Sequence, residues 1–530
     1  MTELALLLCL AAVGHGISRW TGLPVIPILL GLGMILSLVG GMDATGSMSA
    51  AGDDPLFFVL ELGLTVLVFA SGVELNPQRF RRQRAAVLRV GLLQFFLMGA
   101  AGWAGARLLG HQGLSAIYLA FAVSASSTVV VLRLLQQRQQ AVEPHGRMVI
   151  GVLLLQDALT IVALVALMQH GRDGSRLVQE YGLALLLTAI AWLLQRRGAR
   201  WLLERCRGDE EAMLLTVLSV LFVFLGAAHA AGLPLVAGAF LAGYSLSSFP
   251  VSGQVGSLLQ SLTDFFRAVF FVALGALVVP DAGALGAALL LGLLVLLLTP
   301  PLVAWVAEGA GLTSRAAIES GLLLAQTSEY SLMLGLLGLR LGHIGPQVFA
   351  VIALMAVLTM TCTPLLARDT VARRLMRLHP SRRRRLPSLD RHNHVLILGF
   401  GSAGMWVLRP LVAAGLPVLV VDDDPAVIAE LDRRGVACEL GDGGDERTLE
   451  RVGARQARFI IAAMRRVDDA RRVLESARGV PVLVRVFEDA EAEAVRRLGG
   501  IPVSSAEATA EQFLAWFRTR VQPAPESAVG

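Results

Sequence analysis

The sequence contains no lysine; all 46 basic residues among its 530 are arginine. Charge of either sign is scarce, 16% of residues against roughly 25% in a soluble chain. Aromatics make up only 6%. With a mean hydropathy of +0.65, this scarcity excludes a soluble enzyme, a disordered chain and a nucleic-acid binder. The net charge of +5 is too small to draw the chain to a polyanion. There are four cysteines, Cys9, Cys206, Cys362 and Cys438, far apart and without CxxC or Cys/His spacing. That excludes a disulfide framework and a zinc site.

Long apolar runs are abundant. A spanning helix needs about 20 mostly apolar residues, and thirteen candidates precede residue 372. They cover roughly 4–19, 23–40, 55–74, 86–107, 114–135, 147–169, 178–195, 212–229, 233–247, 264–279, 282–307, 316–340 and 347–368. The first is not a signal peptide, because its first charge is Glu3 and further spans follow. Arginine collects in cytoplasmic loops. Placing the N-terminus outside puts fifteen arginines in inner loops, Arg267 and Arg315 among them. Arg107, Arg172, Arg176 and Arg340 then fall outside. An odd span count also delivers Arg368–Arg385 and all that follows to the cytoplasm. The chain therefore reads as a multi-pass protein of a bacterial inner membrane.

An internal repeat is present. Phe69–Pro77 lies over Val272–Pro280 at an offset of 203, matching Ala70, Gly72 and Pro77 to Ala273, Gly275 and Pro280. The same offset lays Ser124–Thr128 of the fifth span over Thr327–Ser331 of the twelfth. The two copies run in opposite directions, as in secondary transporters with a midplane site.

Charges inside a bilayer are costly and are by default functional. Asp157 lies near the centre of the sixth span, after Gln156. A structural interhelical bond is the plainer reading, but a Ser or Asn would make it at lower cost. A carboxylate there can bind a proton or a hard monovalent cation, with amide and hydroxyl oxygens completing the shell. Ser124, Ser126, Ser127 and Thr128 suggest a loosened helix whose carbonyls and hydroxyls line a cavity. Gln326, Thr327, Ser328 and Glu329 are the matching interruption. Glu329 reads equally as a second proton site or as a counter-charge to the half-helix ends. Glu61 and Glu74 are weaker candidates, Glu74 as a solvated or capping residue. His15 and His229 read as satisfied core residues.

After the spans the pattern changes. Residues 379–392 form a basic, proline-bounded linker whose arginines face anionic headgroups. Residues 393–525 alternate short strands with helices. His394–Gly399 is a strand running into Gly399-Phe-Gly-Ser-Ala-Gly404, and a second strand ends at Asp422. This is the dinucleotide fingerprint in its proper context. Gly399, Gly401, Ser402 and Gly404 would bring backbone to a pyrophosphate. Asp422 would accept from ribose hydroxyls, which favours NAD(H) or a mononucleotide such as AMP over NADP(H). Gly441-Asp442 follows the third strand. No catalytic constellation accompanies the fold, so a dehydrogenase is not expected. A degenerate Rossmann-like fold that only dimerises is the plainer alternative.

Gly72–Phe80, Gln156-Asp157 and Gln326–Tyr330 resemble the Kef-type potassium:proton antiporters of the second monovalent cation:proton antiporter family. The resemblance covers the third span onward. It implies a homodimer, a core domain with two crossed, broken helices (the fifth and twelfth spans), and an elevator-like movement. The Gln-Asp pair at 156–157 implies potassium, with sodium as the alternative. Many relatives carry a lysine in the eleventh span; here Leu298-Thr-Pro-Pro301 stands there, so a lysine–aspartate pair is impossible. Gly441-Asp442 resembles the regulatory TrkA-N (RCK) domain, which pairs and gates transport. Ser402 stands where Kef relatives carry an arginine that contacts glutathione adducts, which counts against glutathione gating. Potassium channels carry the same regulatory domain, so a nucleotide-gated cation channel is the rival. A channel needs filter loops such as TVGYG, and none occurs. The expected protein is a helical membrane antiporter with a cytoplasmic Rossmann-like domain. Its partners are the bilayer, its own second copy, a monovalent cation, the proton and an adenine nucleotide.

Overall fold

In lipid, a backbone must satisfy its own polar groups, and a helix does so within one segment. The computed structural model describes residues 2–38, 55–75, 83–138, 140–141, 144–169, 174–199, 201, 205, 209–248, 251–312, 314–378, 393–400, 404–422, 425–441, 443–464, 467–486 and 489–504. The chain divides into two compact units, Met1–Leu312 with Ala316–Ala372, and Thr313–Arg315 with Arg373–Gly530.

The first unit is helical. Its helices are α1 Thr2–Thr21, α2 Val25–Leu38, α3 Pro55–Glu74, α4 Arg84–Leu108, α5 Gly113–Ser124, α6 Thr128–Gln137, α7 Pro144–Met168 and α8 Gly174–Leu193. They continue with α9 Glu210–Ala230, α10 Leu235–Ser245, α11 Val251–Ala276, α12 Ala282–Gly309, α13 Ser314–Leu324, α14 Glu329–Arg340 and α15 Pro346–Leu366. Among the described residues, eight helices or broken pairs are long and apolar enough to cross a membrane. Three shorter apolar helices accompany them, Ala5–Thr21, Val25–Leu38 and Leu235–Ser245. This inventory does not establish the expected thirteen spans.

The fifth and twelfth expected spans are each in two pieces, α5/α6 and α13/α14. The tenth differs from expectation. It begins at Val251 rather than 264, so Arg267 lies within α11 and not in a loop. Its first half is rich in Ser and Gln and reads as a loop. Yet Val251, Val255 and Leu259 are buried, and that spacing of four makes it one amphipathic helix.

Two helix groups pack around different contacts. α4, α5, α7 and α12–α15 cluster about the two breaks, while α2, α3 and α9–α11 pack chiefly among themselves, with α15 also touching α2. Glycine lets backbones in the second group touch. A Cβ on Gly33 of α2 would lie 2.8 Å from Gly275 Cα of α11. A Cβ on Gly72 of α3 would lie 3.0 Å from Gly243 Cα of α10. Gly72 and Gly275 are the positions the sequence repeat pairs, and each makes the same kind of crossing. At the breaks, however, the offset is 201 rather than 203: Thr128 begins α6 and Glu329 begins α14. Pro77, the third matched residue of the motif, lies outside the described residues. His15 and His229 are exposed on helix faces rather than packed in the core.

A further helix, α16 Asp369–Leu378, leads to the second unit. There β1 Val395–Leu398, β2 Val418–Asp422, β3 Cys438–Leu440, β4 Phe459–Ala462, β5 Val482–Val486 and β6 Ile501–Ser504 form one parallel sheet in the order β3-β2-β1-β4-β5-β6. Val395 pairs with Val418 on one side and with Phe459 on the other. All four residues of β1 are buried, as a strand covered on both faces requires. The intervening helices are α17 Gly404–Ala413, α18 Pro425–Arg433, α19 Glu446–Arg451, α20 Val467–Ser476 and α21 Asp489–Arg497. Strand order reverses between β1 and β4, so a binding crevice opens at the carboxyl end of β1.

The crossings predict a sharp contrast. Gly243→Val should lower the melting temperature of the detergent-purified protein by the equivalent of about 2 kcal/mol or more, since overpacking costs ~1–3 kcal/mol. Gly226, on α9 with open space around it, is the control. Gly226→Ala should be neutral or stabilising by up to ~1 kcal/mol. Equal melting for both variants would show that the close crossing does not set stability.

Candidate functional site

Interrupting a helix leaves amides and carbonyls without intrahelical partners, and the sequence supplies a partner for many of them here. Ser127 caps α6, its hydroxyl accepting from Val130 N–H at 3.4 Å. Ser328 caps α14 in the same way for Tyr330 N–H at 3.1 Å. The breaks also bond to each other. Ser126 Oγ donates to the Leu324 carbonyl at 2.7 Å, and Gln326 Nε2 donates to the Ser127 carbonyl at 3.4 Å. Thr363 Oγ1 donates to the Ala325 carbonyl at 2.9 Å, and Thr359 Oγ1 accepts from Thr327 N–H at 3.1 Å. The two broken helices therefore cross with their loose ends tied.

α7 passes alongside. Asp157 is 1% exposed. Thr128 Oγ1 donates to its Oδ2 at 2.8 Å. Asp157 Oδ1 is buried with no hydrogen-bond partner, and so is Glu329 Oε2. Both carboxylates line a cavity of about 40 Å³ with Thr128, Glu74, Arg267 and Tyr330. That volume admits one or a few guests the size of a water molecule, since one needs roughly 10–15 Å³. The N-termini of α6 and α14 both end here, and their positive dipole ends favour negative charge.

Three of the expected site residues, Thr128, Asp157 and Glu329, share this cavity. Gln156, Ser126 and Ser127 are beside it but do not line it. The Gln156 amide faces the break. Its Oε1 accepts from Ser126 N–H at 3.0 Å, and its Nε2 donates to Gln94 Oε1. Gln94 in turn donates to the Ser124 carbonyl at 3.2 Å. The amide at 156 is therefore spent on holding the break, and the hydroxyls of Ser126 and Ser127 on the crossing and the cap.

Gln94 and Arg267 were not expected, and Glu74 only as a weaker candidate. Gln94 is a lone amide in the apolar run Gly91–Leu97, the same signal that singles out Gln156. Glu74 is exposed and yet lines the cavity, so a solvated helix end and a site residue are compatible. Arg267 was hidden by its assignment to a loop. It also pairs with Asp264 at 2.7 Å.

In the second unit, Gly399 ends β1 at φ +77°, in the left-handed region that favours glycine. A Cβ there would meet Met464 Cγ at 3.0 Å. Gly404 opens α17, where a Cβ would meet Phe400 Cε2 at 2.8 Å. Asp422, 7% exposed, accepts from Phe400 N–H at 2.6 Å, which ties the end of β2 to the turn. Gly401, Ser402 and Asp442 lie outside the described residues. Gly399, Gly404 and the Asp422 carboxylate at the switch point fit a nucleotide. Among the described residues, no cluster of His, Cys, Asp and Glu could hold a metal ion.

The transmembrane sodium/hydrogen exchanger family matches residues 4–368, and the TrkA-N domain family matches residues 395–505. The Escherichia coli K12 protein YbaL is 26% identical over 468 residues, covering 83% of this chain and 84% of its own. The glutathione-regulated potassium-efflux system protein KefC of the same organism is 26% identical over 470 residues, 85% of this chain and 74% of its own. A sodium proton antiporter from Methanocaldococcus jannaschii shares the membrane fold at a TM-score of 0.54 and 16% identity, over 71% of this chain and 98% of that one.

The Gln94–Gln156 bond generates a prediction. Gln94→Leu leaves the Gln156 amide and the Ser124 carbonyl short of a buried partner. It should cost ~1–3 kcal/mol of stability, read as a lower melting temperature, while Gln94→Glu should melt higher as pH falls, since only the protonated acid can both accept from Gln156 and donate to the Ser124 carbonyl. Wild-type melting of Gln94→Leu would remove this bond from the account of the break.

Proposed function

The chain belongs to the transmembrane sodium/hydrogen exchanger family, and on that premise we propose that it exchanges a monovalent cation, potassium, for protons across a bacterial inner membrane. The observation that carries the reading is Asp157: a buried carboxylate with an unpartnered oxygen, facing a cavity large enough for one ion. The site holds a proton or a cation in turn. Thr128 fixes Oδ2, so Oδ1 takes either guest. Glu329 sits at the first turn of α14 as counter-charge to the two helix N-termini. Gln156, Ser126, Ser127 and Gln94 position the break rather than bind the ion. Potassium is favoured by the Gln156-Asp157 pair and by the potassium-efflux name of KefC.

In this proposal the chain works as a homodimer with its N-terminus outside, and residues 379–392 link the exchanger (1–378) to a cytoplasmic regulatory domain (393–525). Gly399, Gly404 and Asp422 would hold NAD(H) or AMP there. The bound nucleotide would supply only binding energy that favours one conformation of the domain.

Asp157→Asn keeps size and most hydrogen bonding but removes the titratable charge. The variant should fold normally and show no cation-driven proton flux in proteoliposomes. Substantial exchange in it would move the site to Glu329. With one titrating carboxylate the exchange should be one-for-one. Clamping the voltage should then leave the reversal point of proton flux unmoved, whereas a net charge per cycle would gain ~2.3 kcal/mol per 100 mV.

The regulatory site is tested separately on the full-length protein by calorimetry with NADH and with AMP. Asp422→Ala should weaken binding by ~1.5–3 kcal/mol, the scale of a hydrogen bond to a charged group. Absence of binding by either nucleotide in the parent would leave the domain a dimerisation role alone.

A further inference from the structure

A second and larger cavity, about 250 Å³, lies between the same two helix groups. It is set toward the opposite end of α3 from Glu74. Glu61 and Thr65 of α3, Gln169 at the end of α7, the turn before α10, and Leu337 and Arg340 of α14 line it. Arg340 Nη1 is 3.7 Å from Glu61 Oε2. This ion pair joins the group that holds the breaks to the group that packs on glycine crossings. Gln169 is 3% exposed, and neither its Nε2 nor its Oε1 has a partner. A buried amide without partners is costly unless a guest or water serves it.

α14 thus carries Glu329 at its first residue, in the Asp157 cavity, and Arg340 at its last, in this one. α3 carries Glu74 and Glu61 correspondingly. If the two groups slide past one another, the pair at 61 and 340 must part as the second cavity opens. An ion pair of this kind, more than a third exposed on both partners, holds only weakly. A latch that must release in every transport cycle has to be weak.

We propose that this cavity, at the opposite end of α3 from the Asp157 cavity, is a vestibule, that the Glu61–Arg340 pair latches it shut, and that Glu61 and Gln169 receive a hydrated monovalent cation when the latch parts. The proposal rests on the exchange reading for the identity of the guest, but the latch is measurable without transport.

The test uses the full chain with its four native cysteines replaced by alanine and Leu337→Cys as reporter. A membrane-impermeant maleimide is applied to the face on which Leu337 lies. Labelling should be slow in the parent. Glu61→Gln and Arg340→Gln should each speed it roughly two- to five-fold, the scale of an exposed ion pair. The exchanged pair, Glu61→Arg with Arg340→Glu, should return it to the parent rate. Unchanged labelling in the single variants overturns the latch, and so does fast labelling in the exchanged pair, which would mean general loosening. Should a single variant fail to fold, Glu61→Gln with Arg340→Gln leaves no unpaired charge and is read instead; labelling at the parent rate there overturns the proposal. Gln169→Leu should raise the half-saturating cation concentration several-fold from this face only, with labelling unchanged; an equal rise from both faces overturns its assignment. The labelling response should persist in Asp157→Asn. A response to latch variants together with no proton flux in the parent, for any monovalent cation, would keep the latch and sink the exchange reading.

Discussion

Everything in the membrane unit depends on one constraint: a helix interrupted inside a bilayer must find partners for the backbone groups it sets loose. The chain meets it twice, at 125–127 and 325–328, with side chains from both breaks and from α4, α7 and α15. Once the loose ends are tied, the N-termini of α6 and α14 are fixed in one place, and a carboxylate can be kept beside them. The cavity around Asp157 follows from the crossing. Without Ser126, Gln326, Thr359 and Thr363 on the loose ends, the break would have no reason to hold its shape, and Asp157 would be a buried charge with nothing to orient it.

The glycine crossings answer a different need. Gly33 against Gly275 and Gly72 against Gly243 bring α2 onto α11 and α3 onto α10 at backbone contact. Such packing is rigid because dispersion between close backbones leaves little room for rearrangement. Between this scaffold and the group around the breaks lie two cavities lined by polar and charged groups, beside direct packing of α15 on α2.

Much of this was legible in the sequence, for identifiable reasons. Asp157 stood out because no loop explains it, and Thr128 and Glu329 because polar clusters interrupt apolar runs. The Rossmann-like fold of the second unit was legible because glycines, strand and acid fall at fixed local spacings, and the parallel sheet bears this out. What stayed hidden was long-range. The sequence ranks Gln156 with Asp157 because they are neighbours, but successive residues on a helix face different directions, and only the fold sends one amide to Ser126 and Gln94. Glu74 and Arg267 are more than 80 residues from Asp157 in the chain and meet it only through α3 and α11. The amphipathic first half of α11 resembled a loop because its polar face outnumbers its buried stripe.

The two amides explain each other. Gln156 accepts a hydrogen bond from Ser126 N–H with one atom and donates to Gln94 with the other. An ionised carboxylate at 156 could accept from Ser126 but could not donate, and it would set its charge against the Gln94 carbonyl oxygen. A chain with an acid at this position would therefore need a donor in place of that oxygen, or a cation nearby to compensate. This sequence has no lysine at all. Arg267, the arginine in the Asp157 cavity, is already engaged by Asp264. The neutral amide at 156, its neutral partner at 94 and the absence of lysine thus form one consistent set, in keeping with the proposal that Asp157 is the acid that exchanges proton for cation.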